Sequence, residues 1–66
     1  MSIGDFDFYT KQLDKAEWYI QKQWYSMAKR AVSCIGPKLS SERSQDRYLR
    51  AVLVRYNRAK HVAYSF

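Results

Sequence analysis

The chain has 66 residues, 12 of them Lys or Arg against 6 Asp or Glu, which gives a formal charge of +6. A chain of this size buries only about 60% of its unfolded surface, so a lone core is marginal without a disulfide, a metal or an oligomer. The single Cys34 excludes an internal disulfide, and one Cys with one His (His61) cannot complete a structural zinc site. We predict no cofactor and no metal, and expect association with another chain.

Two features of the sequence bear on membrane insertion and secretion. Apolar stretches such as 51–54 are far shorter than the roughly 18 residues that a membrane span needs. Residues 1–7 are acidic and lack the basic and apolar regions of a signal peptide. We therefore predict a cytoplasmic protein with no membrane contact. Its 17% aromatic content is typical of a folded chain rather than a disordered one.

The first segment has apolar residues at steps of three and four, with lysines on the opposite side of the helical wheel. This period predicts an amphipathic helix over about residues 6–35. Cys34, at the edge of the apolar arc, is expected to pack in the core, with an interchain disulfide or a reactive thiol as the alternative. The apolar positions are Leu13, Ala16, Ile20, Trp24, Met27, Ala28, Ala31, Cys34 and Ile35.

A Gly-Pro pair interrupts the pattern at Gly36 and Pro37. Glycine supplies the left-handed residue after a helix, and proline next to it is expected to stop the helix. We predict a turn over residues 36–40 and a second helix over about 41–65. That helix has a heptad-like seam at Gln45, Leu49, Val52, Tyr56, Ala59, Ala63 and Phe66.

The predicted fold is all-α: one domain over residues 1–66, built as an antiparallel helical hairpin. Each helix of such a hairpin covers only one line of its partner, so we expect two copies to form a four-helix bundle. In outline this arrangement resembles that of the plasmid copy-number regulator Rop, and the resemblance is one of architecture. The predicted homodimer core consists of Leu13, Ile20, Trp24, Leu49, Val52 and Tyr56.

A second apolar line on the first helix joins Trp18, Tyr25 and Val32, at steps of seven. It could pack against the second helix or the dimer mate, form an exposed patch for a protein partner, or stack nucleobases. The N-terminal Phe6 and Phe8 alternate with acids, which indicates either a structural staple or an arm that docks on a basic groove. These five residues are the candidate protein interface.

A basic stripe on the second helix consists of Arg43, Arg47, Arg50, Arg58 and His61. Arginine binds phosphates through two parallel hydrogen bonds, so the stripe could follow a nucleic-acid backbone. A solvated charged face is the alternative, because the outer face of any helix exposed to water is charged. Two observations favour this alternative: Val54 lies within the stripe, and no recognised nucleic-acid motif accompanies it.

Catalysis has little support, since His61 has no nucleophile and carboxylate arranged with it and no phosphate-binding loop is present. We predict that the protein is not an enzyme and has no catalytic residue. The expected function is that of a protein-interaction or regulatory accessory factor, of a size typical of phage or mobile-element proteins. The alternative is a basic RNA- or DNA-binding regulator that uses the arginine stripe.

Overall fold

The structure, a computed structural model, describes residues 3–41 and 47–65. These residues form three helices, α1 (Ile3–Gln21), α2 (Tyr25–Ser41) and α3 (Arg47–Ala63), and contain no strand. The all-helical prediction is confirmed for this part of the chain. A hairpin of two long helices is not what the structure shows, since the region expected to form one helix contains a break.

The break falls at residues 22–24, where Gln23 has a positive φ of 61°. Its N–H donates to the carbonyl of Ile20, and the N–H of Trp24 donates to the carbonyl of Tyr19. This pair of bonds is the Schellman arrangement, which satisfies the last carbonyls of a helix. Trp24 is the N-cap of α2, because its own carbonyl accepts a hydrogen bond from the N–H of Ala28. The helix predicted over 6–35 is therefore two helices.

The structure also differs from the prediction at residues 36–40. A turn was expected there, but Gly36 and Pro37 lie inside α2. Proline has no N–H to donate to the carbonyl of Ser33, which weakens the helix at this point. The residue before a proline normally avoids the helical region, partly because its Cβ meets the proline ring. Gly36 has no Cβ, so the helix continues to Ser41. The connection to α3, residues 42–46, lies outside the described part of the chain.

Contacts between side chains show how the three helices run. Lys38, near the end of α2, lies 3.5 Å from Asp5 near the start of α1, so these two helices are antiparallel. Arg55 in α3 reaches Asp14 and Glu17 in the second half of α1. The ring of Phe6 near the start of α1 meets that of Tyr48 near the start of α3, so α1 and α3 run in the same direction. The helices form an up-down-up bundle.

The core lies along the common axis of this bundle and is apolar throughout. Alanines at the contacts let the helices approach closely, while leucines and one tyrosine fill the remaining space. Most of these positions belong to the apolar lines identified in the sequence. The buried core residues are Tyr9, Leu13, Ala16, Ala28, Ala31, Val32, Ile35, Leu39, Leu49, Val52, Ala59 and Ala63.

The structure places the predicted homodimer core mostly inside one chain. Leu13, Leu49 and Val52 are buried there, and Ile20 and Tyr56 are partly buried against the same core. Only Trp24 of the six is exposed, at 54%. The reason is the break at Gln23, which folds α2 back and lets one chain supply the cover expected from a second copy. Among residues 3–41 and 47–65, no helix has the length and apolar character to cross a membrane.

Candidate functional site

An aromatic cluster lies where α1 ends, formed by Trp18, Tyr19 and Trp24. The Trp18 and Trp24 ring centroids are 5.6 Å apart and nearly perpendicular, and Tyr19 lies 5.4 Å from Trp18 and 6.1 Å from Trp24. Edge-to-face contacts of this kind are favourable because the positive ring edge meets the negative ring face. The Nζ of Lys22 lies 5.7 Å from the Trp18 ring, at the distance of a cation–π contact.

The helix end explains how these rings come together. In a Schellman arrangement the residue after the left-handed position packs on residues three or four positions before the helix end. Here Trp24 follows the left-handed Gln23 and packs on Tyr19 and Trp18. The cap explains the contacts between the rings. The outer faces of the rings remain exposed to water, and Trp18 is 48% exposed. Two half-exposed tryptophans side by side form an unusual surface for a small domain.

The other predicted interface residues occupy different environments. Val32 is 1% exposed and belongs to the core, so it is not part of an exposed patch. Tyr25 is partly buried at the start of α2. Phe6 and Phe8 are partly buried against the core within α1, which is the staple role rather than a free arm. Of the five candidates, only Trp18 presents a large exposed apolar surface.

Tyr19 is the member of the aromatic cluster that sequence reasoning missed. It lies off the main apolar line and outside the seven-residue spacing of Trp18 and Tyr25. The available signal was the density of aromatic residues between positions 18 and 25. That density does not reveal a shared surface unless the helix is known to end at Gln21.

The outer face of α3 is the second candidate surface. Arg47, Arg50, Arg58 and His61 are exposed there, as predicted from the spacing. Arg43 lies outside the described residues. The helix contains five Lys or Arg and no Asp or Glu, so no acid within α3 neutralises this face.

Arg55 belongs to α3 but serves a different role. Its guanidinium Nη2 lies 2.6 Å from Asp14 Oδ1 and 3.0 Å from Glu17 Oε2, and its Nε donates to Glu17 Oε1 at 3.2 Å. The hydrogen bond to Glu17, followed by that to Asp14, raises the pKa of Arg55 above its ordinary value. This side chain holds α3 to α1 by forming ion pairs with two acidic residues of α1.

Four lysines of the described region lie over the chain's own aromatic rings. Besides Lys22, the ammonium groups of Lys29, Lys38 and Lys60 lie 5.2 to 5.8 Å from ring centroids of Tyr64, Phe8 and Tyr56. These lysines therefore contribute to the surface of the bundle itself. Arg47, Arg50 and Arg58 of α3 are exposed, as are Lys15 of α1 and Arg30 of α2.

Cys34 is exposed, so the expectation that it packs in the core is wrong. α2 buries Ala28, Ala31, Val32 and Ile35, and Cys34, at the edge of this line, faces outward. Among residues 3–41 and 47–65, no three His, Cys, Asp or Glu side chains are grouped as metal ligands would be.

An open groove of about 330 Å³ separates the end of α1 from α3. Its floor is apolar, with Ile20, Ala59 and Val62, and Glu17 and Arg58 lie at its rim. The groove has no histidine or cysteine in its lining, so it offers a shaped apolar contact with two opposite charges rather than a nucleophile.

Comparison of this chain with known protein families, curated proteins and solved structures finds no match in any of the three. The geometry of the chain is therefore the basis for its functional assignment.

Proposed function

We propose that this protein is a small, non-enzymatic, cytoplasmic interaction module, and that the aromatic cluster of Trp18, Tyr19 and Trp24 is the surface that contacts its protein partner. The observation that carries the proposal is the exposure of two adjacent tryptophans, 48% and 54%, on a helix end held by backbone hydrogen bonds. Such a module fits a regulatory accessory factor, and its size and charge fit a phage or mobile-element protein.

Exposed tryptophans suit binding for two physical reasons. Trp is among the residues that most often contribute over 2 kcal/mol to an interface. The Schellman hydrogen bonds and the ring contacts already fix these side chains, so little conformational entropy remains to be lost on binding. Lys15 near the end of α1 and Lys22 just after it are exposed, which favours a partner with an apolar side chain bordered by acidic residues.

The test is a capture experiment with the intact chain, followed by affinity measurement on whatever partner it identifies. Trp18→Ala is the main variant, since it removes an exposed ring without touching the hydrogen bonds of the cap. Tyr64→Ala is the matched control, because Tyr64 is equally exposed at the end of α3. Trp18→Ala should weaken binding about thirtyfold, equivalent to about 2 kcal/mol, and the control should change it less than threefold. Equal loss in the two variants would refute the assignment.

A second copy of this chain is one candidate for that protein partner, which would make the protein a homodimer with the aromatic cluster rather than the bundle core as its contact. Trp24 is the one predicted dimer residue that a single chain leaves exposed. Trp24→Leu keeps an apolar residue in the cap and removes the large ring. Sedimentation equilibrium should show a wild-type dimer and a monomeric Trp24→Leu variant. A folded wild-type monomer at micromolar concentration would contradict the dimer and leave the protein-partner proposal standing.

Nucleic-acid binding is the second candidate function. It is favoured by a specific observation, the absence of any acid in α3 while Arg47, Arg50 and Arg58 are exposed on one face. Repeating the capture experiment in the presence of nuclease distinguishes protein binding from nucleic-acid binding. Recovery that survives nuclease and fails with Trp18→Ala supports the protein partner, whereas recovery lost with nuclease supports nucleic acid.

A further inference from the structure

The geometry points to duplex DNA as the ligand of the α3 outer face, with α3 lying in the major groove and Val54 facing the base edges. This inference rests on the second candidate function and assigns its ligand class. The surface is separate from the aromatic cluster, which lies at the junction of α1 and α2.

Val54 is an exposed apolar residue at the centre of this face. It is 57% exposed, although valine is a residue that folding normally buries. Arg50 and Arg58 lie four residues before and after it, and Arg47 and His61 lie seven before and after. In a helix these four spacings all fall on one face. The result is an apolar residue with two basic side chains before it and two after it along the same face of the helix.

The dimensions of this face fit the groove. From Arg47 to His61 the helix rises about 21 Å, and its diameter with side chains is about 10–12 Å. The major groove of B-DNA is about 12 Å wide, so it admits one helix, and phosphates line both of its edges. The arginines that flank Val54 would reach phosphates, while the exposed Val54 would lie toward the bases. Small apolar side chains contact the C5-methyl group of thymine there.

Other anionic ligands fit the same face less well. A membrane-surface helix inserts its apolar face into lipid, but the apolar face of α3 is occupied, with Leu49, Val52 and Ala59 buried in the bundle. Duplex RNA presents a major groove too narrow for side chains to read.

The charge distribution of the rest of the bundle agrees with one-sided docking. Asp14 and Glu17 in α1 are held by Arg55 at the α1–α3 contact, and Glu17 shares the groove there with Arg58. Asp7, also in α1, pairs with Lys11. The α3 outer face thus approaches a polyanion while the acids of α1 are neutralised or directed elsewhere.

The first experiment compares nucleic-acid forms by fluorescence anisotropy, with the full chain and labelled random-sequence duplex DNA, duplex RNA and single-stranded DNA of equal length. Duplex DNA should bind at least tenfold more tightly than the other two, with affinity that falls steeply as salt rises. Equal binding of all three would keep the nucleic-acid function and overturn the major-groove inference. No binding of any probe at low salt would overturn both.

The second experiment locates the surface by matched substitutions. Val54→Glu places a carboxylate at the centre of the proposed contact, and Met27→Glu makes the same charge change on the exposed face of α2. Val54→Glu should abolish duplex binding, with an unchanged circular dichroism spectrum, and Met27→Glu should weaken it less than threefold.

Arginine substitutions give an independent measure. Arg58→Ala should lower the slope of log affinity against log salt by about 0.9, which corresponds to one lost phosphate contact. Arg30→Ala, which removes an exposed arginine of α2, should leave the slope unchanged. Equal effects of Arg30→Ala and Arg58→Ala would show that binding is not confined to α3. Equal effects of Val54→Glu and Met27→Glu would show the same, and either result would overturn the assignment to α3.

Discussion

The close approach of α2 to α3 at Gly36 offers the sharpest test of the packing. A methyl group placed on Gly36 would lie 2.9 Å from the hydroxyl oxygen of Tyr56, and 3.8 Å from the ring carbon that carries this hydroxyl. The first distance is shorter than van der Waals contact, and the second is an ordinary contact. The hydroxyl group alone is therefore the obstacle to a larger residue at position 36.

Three effects act together in Gly36→Ala. Alanine gains about 1 kcal/mol of helix propensity over glycine, and its Cβ meets the ring of Pro37 at an opposing cost. Overpacking costs about 1–3 kcal/mol, and the low end applies here because Tyr56 is only partly buried and its ring can shift. The first two effects are the same with or without the Tyr56 hydroxyl. A double-mutant cycle with Tyr56→Phe therefore isolates the third.

We expect Gly36→Ala to be less favourable by about 1 kcal/mol in the wild-type background than in the Tyr56→Phe background. For a domain of this size the difference corresponds to about 4–8 °C in Tm. Urea denaturation of the four proteins, followed by circular dichroism at 25 °C, measures the coupling. Gly4→Ala, at an exposed position of α1, is the control and should be additive with Tyr56→Phe. Additivity of Gly36→Ala to within about 0.3 kcal/mol would refute the close approach.

Three further predictions concern the core, the helix break and the thiol. Leu13→Ala and Leu49→Ala should each lower the free energy of unfolding by about 2–5 kcal/mol, because both side chains are buried; urea melts showing a loss under 1 kcal/mol would contradict the bundle. Gln23→Gly should raise the free energy of unfolding by about 1 kcal/mol, since glycine adopts the positive φ of 61° without strain, while Gln23→Ala should change it little; a lower Tm for the glycine variant would show that the cap is absent. Cys34 should react with a thiol reagent in the native protein about as fast as in urea, because it is exposed, and strong protection in the native state would place it in a core or an interface.

The all-helical character and most of the core were predictable from the sequence, because both depend on local spacing. The seam of Leu49, Val52, Ala59 and Ala63 is buried as its alternating steps of four and three indicate. The exposure of Arg47, Arg50 and Arg58 follows from the same periodicity, since residues opposite a buried seam must face water. Neither result needs knowledge of a neighbouring helix.

The positions where helices end depended on tertiary structure. Nothing in the sequence marks Gln23 as a left-handed residue, a conformation that costs a non-glycine residue about 1–2 kcal/mol. Here that cost is offset by the contacts of Trp24 with Trp18 and Tyr19, and by α2 folding back to bury Val32 and Ile35 against the other helices.

The Gly-Pro pair shows the opposite effect of tertiary structure. By itself Pro37 favours the end of a helix, at a cost of about 3 kcal/mol if the helix continues. The last turn of α2 is nevertheless retained, because it buries Leu39 in the core and brings Lys38 to Asp5 and to the ring of Phe8. Local sequence thus determined which residues are helical and which face is apolar. Contacts between distant residues decided where one helix stopped and where another continued, since only they could offset a local cost of a few kcal/mol.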